Sequence, residues 1–389
     1  MALVTSVWAD PVPPVIAGHA AIVLDAVSGK VLYEKACHAR MSPASTTKIM
    51  TAILALENSK LTDTCTASAR ACKTPFGNLH LKPGETLDLQ DLMCATILRS
   101  ANDGAICIAE HVAGSVPKFA RMMNAKAKEI GATDTHFVNP HGLYDRKHYS
   151  TAYDLALIAR YAIKAPGFND LVGTKSARIE RSINTKDVYV KNTARFLWRY
   201  EGADGIKTGY TKQAGRCFVG SATRDGWRLI TVVLKSKDAG KDTAAIMDYG
   251  FKYFKLVCYA KTTEPVRSLP VAGGVVEKVD VFPSKDLALI LKKTAPAEAK
   301  TEVDVRTAVA PITKGDKLGT LTAYLNGRKV GTVDLIAAQS VDRTLVATAL
   351  LWARNIMLTG VMALVGYLTY GTQAAKVARR RRRSVPSRC

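Results

Sequence analysis

No two cysteines in this 389-residue chain stand at C-x-x-C spacing. The eight that exist, Cys37, Cys65, Cys72, Cys94, Cys107, Cys217, Cys258 and Cys389, are scattered, which argues against a structural zinc site. They suggest no disulfide framework either and read mostly as small buried hydrophobes. Acidic residues are scarce, 33 against 55 basic ones, for a net charge of +22. That balance invites a nucleic-acid reading, but zinc-finger spacing, RNA-binding aromatic signatures and a helix-turn-helix pattern are all missing, so no nucleic-acid partner is expected. Seven of the charges, Lys376, Arg379 to Arg383 and Arg388, crowd the C-terminus and leave +15 spread elsewhere. A diffuse basic surface suits anionic polymers or lipid headgroups.

Little of an export leader is legible at the start. "MALVTSVWADPVPP" has no basic start and too short an apolar run, so residues 1–9 read as the remnant of a signal peptide. Long uncharged runs are absent except one, "NIMLTGVMALVGYLTYGTQAA" at 355–375. Its length suffices to cross a bilayer as a helix, although a helix lying in the interface is the alternative. The arginines that follow predict a cytoplasmic C-terminus, which puts everything before Arg343 outside.

Hydrophobic residues at 48% and charged residues at 23% describe a globular chain long enough for two domains. "GHAAIVLDAVSGKVLYE" at 18–34 alternates around Ser28-Gly29 and reads as a hairpin. A helix follows, with Ser42 as expected N-cap, Pro43 as first helical residue, and Ile49, Met50, Ile53, Leu54 and Leu56 on one face. Residues 88–113 read as two helices broken at "RSANDG", and 117–130 and 150–164 as further helices. From Gly205 the pattern predicts three strands, with Asp225-Gly226 turning the last two, and then a helix over 241–256. Strands at both ends with helices between predict an α+β domain with one antiparallel sheet. Beyond about residue 262 the composition shifts to Pro, Val, Lys and Thr. "TLTAYLNGRKVGTVDLIA" is a hairpin around Asn326-Gly327, so this stretch reads as a small all-β module.

The chemistry centres on "SPASTTKIMTA" at 42–52. Ser45 and Lys48 lie one helical turn apart, near the positive end of the helix. A serine needs a base to become a nucleophile, and a neutral lysine amine can serve. On that pair alone a helix-start hydroxyl and a solvated lysine would be the simpler account. Two further triplets change this: Ser100-x-Asn102 between two helices, and Lys207-Thr208-Gly209 at a strand. The set S-x-x-K, S-D-N and K-T-G, in this order, marks penicillin-binding proteins and class A β-lactamases; here the middle motif is S-A-N, which keeps the serine and the asparagine.

"NPHGLYDRKHYSTAYDLALIARYAI" and "ADGIKTGYTKQAGRCFVGSATRDGWRLITVVL" closely resemble D-alanyl-D-alanine carboxypeptidases of the low-molecular-mass penicillin-binding type. "PITKGDKLGTLTAYLNGRKVGTVDLIAA" resembles their accessory C-terminal domain, so the resemblance covers about 15–342. It implies a β-lactamase/transpeptidase-like catalytic domain at 10–260, a β domain at 261–342, a membrane helix at 343–378 and a basic tail at 379–389. It further implies a reaction on peptidoglycan stem peptides ending in D-Ala-D-Ala, with β-lactam antibiotics as covalent inhibitors and no metal or organic cofactor. Ser45 would be the nucleophile, Lys48 the base and Ser100 the proton relay to the leaving amine. Asn102 would hold the substrate amide and orient Lys48. Lys207 and Thr208 would bind the terminal carboxylate, and Gly209 would let the substrate lie along the strand without a Cβ clash. The backbone amides of Ser45 and Tyr210 would form the oxyanion hole.

Several positions depart from the family. Tyr210 stands where some relatives have histidine; Thr193 stands where some have arginine, with Arg195 two residues later. A later arginine near residue 239 is missing, with Lys241 close by. The family's anchor is usually an amphipathic helix, unlike the run here. His141 and His148 are expected to make structural hydrogen bonds. A β-lactamase would need a water-activating residue, and no E-x-x-L-N segment appears between Asn102 and Lys207. A DD-endopeptidase and a non-enzymatic, membrane-anchored wall-binding protein complete the alternatives.

Overall fold

The computed structural model describes residues 12–294 and 298–383, with side chains to residue 370 in the last helix. The expected signal remnant at 1–9, and residues 384–389 of the expected tail, lie outside the described residues. The chain divides into two compact units, one of residues 1–255 with 290–295 and one of 256–289 with 296–389.

The first unit opens with the hairpin β1 (Ala20–Asp25) and β2 (Val31–Lys35). There follow α1 (Lys48–Asn58), β3 (Thr64–Thr66), α2 (Ala69–Cys72), β4 (Thr86–Asp88), α3 (Leu89–Leu98), α4 (Asn102–Ala113), α5 (Val116–Ile130), α6 (Ala152–Ala162) and α7 (Phe168–Gly173). The short ribbon β5 (Ser176–Arg178) and β6 (Tyr189–Lys191) and one helical turn, α8 (Phe196–Arg199), lead back to the sheet. The sheet is completed by β7 (Ala203–Thr211), β8 (Gly215–Arg224) and β9 (Trp227–Ser236), and α9 (Ala239–Tyr253) closes the unit.

The strand order is β2-β1-β9-β8-β7, so both ends of the segment supply one antiparallel sheet, as the pattern predicts. Asp225 and Gly226 have φ of 50° and 74°, the double left-handed geometry that a two-residue hairpin with native twist requires. The sheet buries both faces. Ile22 and Leu24 pair with Val232 and Ile230 and join the core made with α1, α4 and α6. On the other face Gly250 of α9 approaches Leu229 and Val23 so closely that a Cβ would stand 2.7 Å from the Leu229 side chain. Thr151 caps α6 by accepting from Asp154 N (3.0 Å), and Asp238 caps α9 by accepting from Lys241 N (3.1 Å).

One local expectation fails. Ser42 caps no helix: its hydroxyl is buried and has no hydrogen-bond partner among the described residues. Residues 44–47 form a 3-10 turn before α1, because Thr46 and Thr47 return their hydroxyls to the carbonyls of Pro43 and Ala44 (2.7 and 2.8 Å).

β10 (Phe254–Ala260) and β13 (Leu287–Lys292) form a two-stranded ribbon. In the second unit β11 (Arg267–Ala272), β12 (Lys278–Pro283), β14 (Ala299–Val305), β15 (Ala308–Val309), β16 (Lys317–Leu325) and β17 (Arg328–Ala337) form a six-stranded sheet of order β14-β16-β17-β12-β11-β15. Asn326-Gly327 makes its tightest hairpin, again with two positive φ values, 49° and 74°. The last helix, α10 (Leu345–Arg383), contains a stretch, Leu345–Tyr370, long and apolar enough to cross a membrane. The boundary differs from an even cut at 260. Residues 290–295 return to the first unit, where Ile290 O accepts from Lys30 Nζ (2.8 Å) and Lys293 N donates to Tyr253 O (2.8 Å).

Candidate active site

The turn that carries Ser45 is held between two glycines. A Cβ on Gly209 of β7 would stand 3.0 Å from Ser45 N and 3.1 Å from Pro43 O. A Cβ on Gly142 would stand 1.8 Å from Ala44 O. The missing side chain of Gly209 therefore makes room for the protein's own turn. Between the glycines Ala44 adopts φ +48°, a strained value for a residue with a Cβ, and turns Ser45 toward solvent.

Beneath Ser45 the Lys48 side chain is wholly buried. Its Nζ lies 3.0 Å from Ser45 Oγ, 2.7 Å from Asn102 Oδ1 and 2.9 Å from His141 O. The carbonyl and amide oxygens can only accept. A neutral amine has two hydrogens and one lone pair, so those two oxygens take the hydrogens and the lone pair faces the Ser45 hydroxyl. Burial, and then the nearby Lys207 cation, push the Lys48 pKa far below the usual lysine range, while Asp103 opposes the shift. Lys207, only 1% exposed, is lowered by burial to about 7, and its Nζ donates to Thr208 O (3.1 Å).

Asn102 is fixed from both ends. Its Nδ2 donates to Pro75 O (3.1 Å) and Phe76 O (2.9 Å), which sets the orientation of the amide and presents Oδ1 to Lys48. Both amide hydrogens are thus engaged with backbone carbonyls, while Oδ1 accepts from Lys48. Asp103 holds the same loop by accepting from Leu79 N (3.0 Å) and Leu81 N (3.1 Å). Ser100, at φ +65° on the turn between α3 and α4, faces the cleft that also exposes Ser45, Thr208, Gly209 and Tyr210. The cleft measures about 1450 Å³. Thr208 Oγ1 pairs with Thr193 Oγ1 at 2.9 Å, and the exposed Tyr210 ring lies 5.8 Å from the Arg216 guanidinium.

The two histidines behave structurally. His148 Nε2 meets Thr47 Oγ1 (2.9 Å) and its Nδ1 accepts from Val138 N (3.1 Å); His141 Nδ1 accepts from Leu143 N (3.1 Å). Burial lowers them to about 4 and about 3, so both rings are neutral. The site residues that motif reading overlooked are Gly142, the His141 carbonyl and the Pro75 and Phe76 carbonyls. Only Gly142 carried a signal, within "PHGLY". Backbone carbonyls have no sequence signature.

Residues 8–238 match the family model described as D-alanyl-D-alanine carboxypeptidase, and residues 254–343 match the penicillin-binding protein 5 C-terminal domain. The chain belongs to the D-alanyl-D-alanine carboxypeptidase family. It is 31% identical over 333 residues to the D-alanyl-D-alanine carboxypeptidase DacF of Bacillus subtilis, covering 83% of this chain and 85% of that one. To DacC of Escherichia coli it is 32% identical over 351 residues, 85% of each chain. Penicillin-binding protein 5 of Haemophilus influenzae superposes with a TM-score of 0.71 at 26% identity, over 86% of this chain and all of that one. A peptidoglycan synthesis regulatory factor (PBP3) of Streptococcus pneumoniae gives 0.72 at 28%, over 84% of this chain and all of that one. The family fold is an α+β catalytic domain followed by an all-β domain, as this carboxypeptidase-family chain displays.

Proposed function

We propose that this chain is a membrane-held serine D-Ala-D-Ala carboxypeptidase acting on peptidoglycan stem peptides and acylated by β-lactams. The observation that carries the reading is the buried Lys48 amine, whose hydrogens are taken by Asn102 Oδ1 and His141 O. Its lone pair is left for Ser45. Ser45 Oγ attacks the carbonyl of the penultimate D-alanine while Lys48 takes its proton, a step worth about 10²–10⁴-fold. The amides of Ser45 and Tyr210 stabilise the oxyanion, each donor worth about 10²–10³. The carbon–nitrogen bond then breaks, and the leaving amine receives a proton by way of Ser100. Water cleaves the ester and frees Ser45. Lys207 and Thr208 bind the terminal carboxylate, a cation and a hydroxyl matched to an anion. Thr193, hydrogen-bonded to Thr208, orients that hydroxyl.

The catalytic unit faces outward, with the C-terminal arginines in the cytoplasm and α10 crossing the bilayer. Support for crossing comes from the helix surface: Ile356, Met357, Leu358, Val361 and Met362 are exposed and spread over about two thirds of the circumference, wider than the single apolar face of an interfacial helix. The span Leu345–Tyr370 is about 39 Å long, more than the ~30 Å hydrocarbon core, so tilt or Arg354 at the interface accommodates the excess.

The direct test is release of D-alanine from a Lys-D-Ala-D-Ala peptide beside a Ser45→Ala control. Loss of release and of penicillin acylation in the control is the expected result. Full activity in Ser45→Ala would overturn the mechanism.

A further inference from the structure

The terminal carboxylate of a D-Ala-D-Ala substrate needs one cation, yet the cleft around Thr208 offers many more. Arg195 and Arg199 come from the α8 turn and its start, Lys212 and Arg216 from the β7–β8 hairpin, and Lys237 and Lys241 from the entry to α9. All six are exposed and line the same concavity as Ser45. Among the described residues lining it Asp238 is the one carboxylate, and its Oδ1 is occupied in capping α9. Elsewhere on this unit some cations find carboxylate partners, as Arg40 does with Asp134 (2.7 Å) and the half-buried Arg224 with Asp248 (3.4 Å). None of the six rim cations pairs with a carboxylate among the described residues. Like charges gathered unpaired round one concavity repel each other and focus a positive potential into it. The cleft is also large, at about 1450 Å³, for a dipeptide end.

Resting on the carboxypeptidase reading, we infer that the rim is a second, anionic subsite that selects stem peptides carrying free interior carboxylates over amidated ones. Lys207 and Thr208 hold the terminal carboxylate. Arg195, Arg216 and Lys241, one from each rim segment, hold carboxylates further along the substrate. Exposed pairs are individually weak and screened by salt, so selectivity comes from several acting together and fades at high ionic strength.

The test measures binding of two peptides by calorimetry to the full-length Ser45→Ala protein in detergent. Both end in D-Ala-D-Ala; one carries two interior glutamates, the other glutamines at the same places. The acidic peptide is expected to bind about tenfold tighter or more at low salt and about equally at 0.5 M. Arg195→Gln, Arg216→Gln and Lys241→Gln combined should abolish the preference. A control with Lys118→Gln, Arg121→Gln and Lys128→Gln on α5 should retain it. Equal binding of the two peptides, survival of the preference in the rim variant, or its loss in the α5 control would each overturn the inference. D-alanine release from the glutamine peptide by the Ser45 enzyme separates the two readings: release without binding preference sinks the subsite alone. Preference without release sinks the carboxypeptidase reading and leaves the subsite standing.

Discussion

A lysine amine can act as a base near neutral pH only if its charged form is made expensive, and at Lys48 burial does most of that. Asn102 then decides where the lone pair points. Asn102→Ala removes one acceptor from Lys48 and strands the Pro75 and Phe76 carbonyls. Acylation by a chromogenic β-lactam is expected to fall by about 10²–10⁴, read by stopped-flow absorbance. The pH profile should report the two lysines. The acid limb of kcat/KM is set by protonation of Lys48, whose pKa is depressed. The alkaline limb is set by loss of the Lys207 charge, near pH 7 in the free protein. A bound carboxylate favours charged Lys207 and raises its pKa, so kcat should stay flat to higher pH than kcat/KM. Coincident alkaline limbs would remove Lys207 from carboxylate binding. Because the two lysines interact, the limbs belong to the pair.

At the scale of elements, the site is a junction of one strand, one turn and one loop. β7 brings Lys207, Thr208 and Gly209 beside the 44–47 turn, and the 139–142 loop closes on the turn from the other side through Gly142 and the His141 carbonyl. Gly209→Ala puts a Cβ 3.0 Å from Ser45 N, so strand and turn must separate by a few tenths of an ångström. Such overpacking costs about 1–3 kcal/mol. The larger effect is on rate, because a misplaced nucleophile loses about 10². A modest fall in melting temperature with a large fall in D-alanine release is the expected pattern. Much of this junction was legible in advance: the sheet from two ends, the break between α3 and α4, and both two-residue hairpins follow from periodicity and turn chemistry. The 3-10 turn was not, since its stability comes from Thr46 and Thr47 side chains returning to the backbone and not from a cap at Ser42.

At the scale of the whole molecule, the hypothesis concerns the side of the membrane. Cys258 is exposed, and Cys389 ends the chain beyond α10. Two proteins, each retaining one of these cysteines, should respond differently to an impermeant maleimide on intact cells. Cys258 is expected to label at once, and Cys389 only after permeabilisation. Equal labelling of both in intact cells would place the C-terminus outside and remove the crossing helix.

By itself the sequence determined the identity and order of the reactive groups, the α+β pattern, the β module and a run able to enter a bilayer, because these depend on residue type, spacing and local turn preference. Tertiary structure alone decided that Lys48 is buried and aimed, that Asn102 spends both amide hydrogens on the Pro75 and Phe76 carbonyls, and that Gly209 yields to the protein's own turn. The same holds for the gathering of six cations on one rim. The reason is physical. Desolvation, hydrogen-bond direction and charge focusing arise between groups far apart in the chain, with Lys48 and His141 separated by 93 positions. No local pattern encodes the direction in which a carbonyl so distant will point.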